Sequence, residues 1–325
     1  MGWVHRPTAE SLWDGESFWR GLQALPQRPE WSYQDDAPSF YDPLDAPQVV
    51  VPGLADRYRQ TWLGAEAGVR SLLPSEVLKP DRSYLLEAAD WVTTVQRSRG
   101  LGWSHLRSVM PGHSQRTPLE MLPTHSWTRE PFSETCGGLR RALICSLLWP
   151  GQIQRAKVAA FFDASDYTGV AQTAQAWLAI VAALMITDPD PNLVNSLRVG
   201  LRHLPGHSHI RAIGEWTYAE FTAGIPWGDW MQKLSCRCHY YPVDHVVPNV
   251  AWILGGLLWG RSEWQRVLPL ISQAGFDPTT RSLITGALFG LARSWIPALP
   301  AGVTRRLVHQ ADDTLACARL HTITL

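Results

Sequence analysis

The chain has 325 residues, 45% of them hydrophobic and 18% charged, which is enough to bury one large core and ordinary for a globular protein. Its 29 Lys and Arg balance its 29 Asp and Glu, so no long-range field draws it to nucleic acid or to an anionic membrane, and neither is an expected partner. Five cysteines make no disulfide-rich framework and leave at least one unpaired, and the first twenty residues carry Glu10, Asp14 and Glu16 with no unbroken apolar stretch. A cytoplasmic protein is expected.

Residues 1 to 50 combine an amphipathic stretch around Leu12, Trp19 and Leu22 with a proline-rich segment. That segment runs from Trp31 through Pro38, Pro43, Pro47 and Pro52, which forbids a long helix and predicts a loop lying over the body. Two helices follow between Leu54 and Gln96. One ends before Pro74; the other starts near Asp81, with Leu85, Ala88, Ala89 and Val92 at helical spacing. Residues 97–131 are rich in Gly, Ser, Pro and His and predict a long loop.

From Thr135 onward, apolar runs of helical length alternate with Pro, Gly or Asp. They predict helices over 135–148, 152–163, 169–187, 191–202, 207–223, 227–236, 244–260, 263–274, 279–294 and 301–318. No stretch alternates as a strand would, and no fixed period marks a solenoid, so the expected fold is an all-α, compact multi-helix bundle. The most apolar segment, Ala174 to Ile186, carries Gln175 and is shorter than the roughly 20 residues a membrane span needs.

Seventeen tryptophans stand against 8 Phe and 8 Tyr. Most are expected to fill the core, each indole burying a large apolar area around one N–H donor. Several have the right faces to line a cavity that stacks on a flat ligand or stabilises positive charge.

Three clusters carry candidate chemistry. Cys236-Arg-Cys-His239 has zinc-ligand residue types, but its spacing is wrong for a Cys-x-x-Cys knuckle and no second pair follows. His203, His207 and His209 surround the Leu204-Pro-Gly turn and read as solvated turn residues. Asp163 and Asp166 close a helix, where a buried carboxylate serves as a general acid or base, or caps the helix that begins near Gly169. No Gly-x-Ser-x-Gly elbow, phosphate-cradling Gly-Lys-Ser/Thr loop or dinucleotide fingerprint is present.

A longer constellation carries more weight. Asp244-His-Val-Val-Pro-Asn249 opens a small-residue helix, and two elements later Ala274-Gly-Phe-Asp-Pro-Thr-Thr-Arg281 runs into another, with Gly286 inside it. These segments resemble the C-terminal half of the ADP-ribosylglycohydrolases. In a branch of that family a Gly-aromatic-Asp-Thr-Asp-Cys-Asn loop enters a small-residue helix, and a His-x-x-x-Asn stretch opens the helix two elements earlier. Gly275, Phe276, Asp277 and Gly286 fall in register, as do His245 and Asn249. Upstream, Leu148-Trp-Pro-Gly, Asp163-Ala and the apolar helix 174–186 follow the same order.

The resemblance covers residues 134 to 300. It implies one all-α, orthogonal-bundle domain over 1–325, with residues 1–133 as a divergent N-terminal part. In the family two divalent cations, usually Mg²⁺, sit between an Asp-Asp pair near the N-terminus and the Asp-x-Asp loop at a helix start, where hard cations find several carboxylate oxygens. Here the resemblance places Asp277 as the first carboxylate and Thr280 as the last ligand, with Asp35 and Asp36 as the N-terminal pair. Thr279 stands where the second Asp belongs, while Pro278 and Arg281 replace a Thr and an Asn. A lost carboxylate and an added cation argue against a dinuclear centre, leaving no metal or a single Mg²⁺.

The expected function is a repurposed enzyme acting on a small molecule through a cation-like transition state, by hydrolysis, elimination or cyclisation. Asp163, Asp166, Asp277 and His245 are its candidate catalytic residues; Phe276, Asn249, Trp252 and Arg281 are candidates for substrate contact. His245 has a second reading, in which Asp244 caps the helix and the histidine merely follows. Two rival functions stand beside the first: a residual hydrolase of ADP-ribose or a related N-glycoside on one Mg²⁺, and a non-catalytic binding protein.

Overall fold

A computed structural model of the chain describes residues 53–73, 78–87, 134–163, 169–239, 241–242, 244–273 and 278–323. The proline-rich segment, the 97–131 stretch, Asp35, Asp36, Asp166, Phe276 and Asp277 lie outside the described residues. Among the described residues twelve α-helices follow in chain order: α1 (Leu54–Arg70), α2 (Tyr84–Glu87), α3 (Leu139–Leu148), α4 (Ile153–Asp163), α5 (Gly169–Thr187), α6 (Leu193–Arg202), α7 (His209–Thr222), α8 (Trp227–Arg237), α9 (Val246–Trp259), α10 (Trp264–Gln273), α11 (Pro278–Leu291) and α12 (Ala301–Ile323). Among the described residues there is no strand, only an isolated antiparallel bridge between Thr135 and His245. The fold is all-α.

The helix starts follow local chemistry. Asn192 accepts from the Asn195 N–H at 2.9 Å to open α6, and Ser208 accepts from Arg211 to open α7. Pro278, a misfit when judged only as a substituted ligand, is the first residue of α11, where its fixed φ suits the helix and its missing N–H costs nothing.

Helix α5 corrects one expectation. At 19 residues with a mean hydropathy of 1.6 it is long and apolar enough to cross a membrane, so shortness is not what distinguishes it. Burial is: 89% of that stretch lies inside the protein, against α3, α4 and α6 among others. It is the central core helix, hydrophobic all round because it is covered all round.

The most extensive helix pair is α1 with α11, and it is built from backbone. A Cβ placed on Gly64 would stand 2.1 Å from the Gly286 carbonyl oxygen, one on Gly68 2.0 Å from that of Ser282, and one on Gly290 2.0 Å from that of Gln60. The residue order makes the helices antiparallel, and only glycine permits that approach. The helix that begins at residue 54, to which sequence patterning gave no further role, therefore supplies half of the closest helix approach among the described residues.

Glu66, wholly buried on α1, accepts from Ser83 Oγ at 3.0 Å, from the N–H groups of Leu85 at 2.8 Å and Tyr84 at 3.2 Å, and from Arg70 Nε at 2.9 Å. Those bonds fix the start of α2 against α1.

The bundle thus has two poles. The C-terminal end of α1 and the N-terminal end of α11 share one. The other gathers the start of α1 and the end of α11, together with the end of α5, because Arg57 on α1 donates to the Met185 carbonyl near the end of α5.

Candidate functional site

The candidate site lies at the pole where α9 and α11 begin. Two backbone hydrogen bonds, Cys136 N–H to the Asp244 carbonyl and Val246 N–H to the Glu134 carbonyl, both 2.9 Å, tie the entry to α3 to the entry to α9. His245, rather than Asp244, caps α9: its Nδ1 accepts from the Val247 N–H at 3.2 Å. Histidine is not among the usual capping residues, so the sequence pointed one residue too early. With Nδ1 accepting, the imidazole is neutral and its proton sits on Nε2, 3.0 Å from Glu134 Oε2. Tyr241 stacks on the ring with centroids 4.0 Å apart. His245 is 2% exposed, and both ring nitrogens are engaged in holding the helix start.

One turn on, Asn249 is wholly buried. Its Nδ2 donates to the His245 carbonyl at 2.8 Å, and its Oδ1 accepts from Arg281 Nη1 at 2.7 Å. Arg281 is also wholly buried; its Nη2 donates to the Ile271 carbonyl at 3.2 Å, and its guanidinium carbon lies 6.0 Å from the Trp252 ring centroid. A guanidinium held by a side-chain amide, a carbonyl and an aromatic face ties α9, α10 and α11 together at one point. The structure thus brings His245, Asn249, Trp252 and Arg281 into one chain of contacts, with Thr280 buried beside them in sequence. Asp163 is the last residue of α4.

Sequence reading missed a set of buried polar groups on α5 and α11. Both amide atoms of Gln175 on α5, and the hydroxyls of Ser282 and Thr285 on α11, have no hydrogen-bond partner among the described residues. Helices α5 and α11 pack together. Gln175 lies in the half of α5 away from Arg57, Ser282 in the half of α11 that begins at the candidate site, and Thr285 at the middle of α11. Buried polar atoms without partners are uncommon and usually mark a bound water, ion or ligand. Their only sequence signal was a glutamine in an otherwise apolar run.

The tryptophans divide as expected for core filling. Trp216, Trp227, Trp230, Trp252 and Trp259 pack as one cluster across α7, α8 and α9, with ring centroids 5.0–6.3 Å apart among the contacting pairs. Trp230 is wholly buried and Trp252 3% exposed. Trp252 reaches from this cluster to Arg281 and so is the indole that borders the candidate site.

The remaining clusters do not assemble. Among the described residues no three His, Cys, Asp or Glu side chains come together as a metal site would require. Burial pushes the Cys238 thiol up to about 12 and raises Cys236 as well, which disfavours the thiolate a metal needs. His239 Nδ1 lies 2.8 Å from the Cys236 carbonyl and closes the end of α8.

No curated protein matches the sequence. A model of the ADP-ribosylglycohydrolase family matches residues 54–323, a span that starts at α1 and ends with α12 and leaves Asp35 and Asp36 on its N-terminal side. A match over most of the chain, on an all-α bundle with small-residue helices at the positions the motifs indicated, settles the relationship: the chain belongs to the ADP-ribosylglycohydrolase family.

Proposed function

We propose that the chain is an enzyme of this family that acts on a small polar molecule at the pole where α9 and α11 begin, without a dinuclear metal centre. The observation that carries the reading is Arg281. Its guanidinium is wholly buried at the start of α11, bonded to Asn249 and against Trp252, one residue from Thr280 and four from Asp277. A fixed positive charge there opposes two divalent cations and does not fit the family's metal pair. No step is therefore assigned to metal.

The amide of Gln175 and hydroxyls of Ser282 and Thr285, without partners among the described residues, favour a ligand rich in hydroxyl or carbonyl groups, since each regains a hydrogen bond on binding. Positive charge developing on such a ligand calls for a carboxylate, and Asp163, Asp166 and Asp277 are the candidates. The guanidinium favours a departing anion instead. Cleavage or rearrangement through an oxocarbenium-like state fits that polarity. His245, both nitrogens engaged, acts as a positioning residue for Asn249.

The test pairs metal analysis of the purified chain with turnover of ADP-ribosylated amino acids and simple N-ribosides, with and without chelator. The expected result is no stoichiometric divalent metal, turnover that persists in chelator, and its loss in Asp277→Asn. One bound Mg²⁺ with chelator-sensitive turnover would instead make the chain a residual hydrolase. Saturable binding of these ligands with no turnover would make it a binding protein.

A further inference from the structure

The opposite pole holds a groove apart from the candidate site. An open groove of about 600 Å³ lies between the first two turns of α6, the last turn of α7 and the ends of α9 and α11. From Asn249 to Leu258 along α9 the separation is about 13 Å at the rise of an α-helix, and Leu258 already lines the groove. The two sites therefore share helices and no residues.

Three features of the lining favour an anion. First, Arg198 is exposed, and its guanidinium lies 5.7 Å from the Tyr218 ring centroid with no hydrogen bond or ion pair among the described residues. Among the described residues no Asp or Glu lines the groove. Second, the N-terminal turn of the ten-residue helix α6 opens into it. Asn192 occupies the Asn195 N–H, while the N–H groups of Leu193 and Val194, both lining the groove, have no partner among the described residues. Side chains of a helix lean toward its N-terminus, which brings Arg198 over that turn. Third, half-buried Ser262 lines the groove, and its Oγ has no partner among the described residues. On the same pole, wholly buried Arg57 leaves Nε and Nη2 without hydrogen-bond partners among the described residues. Burial, and then the like charge of Arg293, which stands between two groove residues, lower the Arg57 pKa, and the Asp188 carboxylate partly offsets both.

One wall is apolar. Phe221 is 38% exposed, with its ring edge-on to Trp259 at 5.1 Å. The Tyr218 hydroxyl donates to the Val194 carbonyl at 2.7 Å and so holds the aromatic wall against the open turn of α6.

We propose that this groove binds a small organic anion with a flat apolar body, its phosphate or carboxylate head on Arg198 and the α6 N-terminus and its ring on Phe221. The inference does not rest on the proposed reaction, and its test separates the two. Phenyl phosphate, benzoate and inorganic phosphate are titrated into the full chain by calorimetry, with tryptophan fluorescence as a second readout because Phe221 touches Trp259.

Phenyl phosphate is expected to bind saturably, one per chain, and Arg198→Met to weaken it about tenfold through loss of a charge-assisted contact. Phe221→Ala weakens phenyl phosphate about threefold and leaves inorganic phosphate unchanged. Asp277→Asn and Arg281→Met leave the binding intact. Arg198 and Phe221 are exposed, so an unchanged melting temperature checks that their variants fold. Stronger binding of either aryl anion supports the proposal and fixes the head group. Absence of saturable binding, equal affinity in Arg198→Met, or inorganic phosphate binding as tightly as phenyl phosphate would each overturn it.

Discussion

Two regions of this bundle solve the packing problem in opposite ways. Between α1 and α11 the side chains are gone, and Gly64, Gly68, Gly286 and Gly290 let carbonyl oxygens meet α-carbons. Between α7, α8 and α9 the side chains are the largest available, five indoles resting on one another, with Trp230 seated on Gly255. The contrast lies in what can yield: the first contact has no rotamer to turn, and the second has many.

The largest effect should come from adding one methyl to the seam. Gly286→Ala forces the helices apart, because the new carbon would sit 2.1 Å from the Gly64 carbonyl; a loss of about 3 kcal/mol in urea unfolding is expected, the upper end for overpacking. Truncating any neighbouring side chain should not restore it.

Next comes the polar clasp on α11. Asn249→Leu strips the acceptor from Arg281 Nη1 and should cost about 2 kcal/mol by the same measurement, as expected for a hydrogen bond to a buried charge.

Gly255→Ala comes third, at about 1–2 kcal/mol, since its Cβ would stand 2.3 Å from Trp230 Cη2. Here the double variant with Trp230→Phe should recover most of the loss. The Trp230 N–H has no hydrogen-bond partner among the described residues, so phenylalanine forfeits none. A double-mutant cycle reads the coupling directly, and strict additivity would erase the distinction between the two regions.

The smallest effect has the opposite sign. Gly228→Ala, in the first turn of α8 with nothing within 4 Å of its Cβ, should raise stability by about 0.5 kcal/mol through reduced unfolded-state entropy.

These contrasts also mark where sequence patterning reaches. The helices after Thr135 were legible because each apolar run ends on Pro, Gly or Asp, and the observed elements begin and end within a few residues of them. The indole cluster was legible as a count. The seam was not: Gly64 and Gly68 meet Gly286 and Gly290 only in space, and local periodicity carries no signal for a pairing that distant. The candidate site was half legible. His245 and Asn249 stood out by register, yet a neutral histidine doing the work of a cap, and an arginine with no exposed surface, run against the habits of both residue types. Gln175, Ser282 and Thr285 were hidden in apolar runs for the same reason.

The glycine seam also bears on the order in which the chain can fold. Its two halves are separated by more than 200 residues, and α12, the other major neighbour of α1, lies later still. At synthesis rates of roughly 5–20 residues per second, α1 emerges about 10–40 s before the helix it closes on. Through that interval a bare glycine face awaits its partner, so α1 is the segment where a chaperone or a prematurely released chain would first be felt.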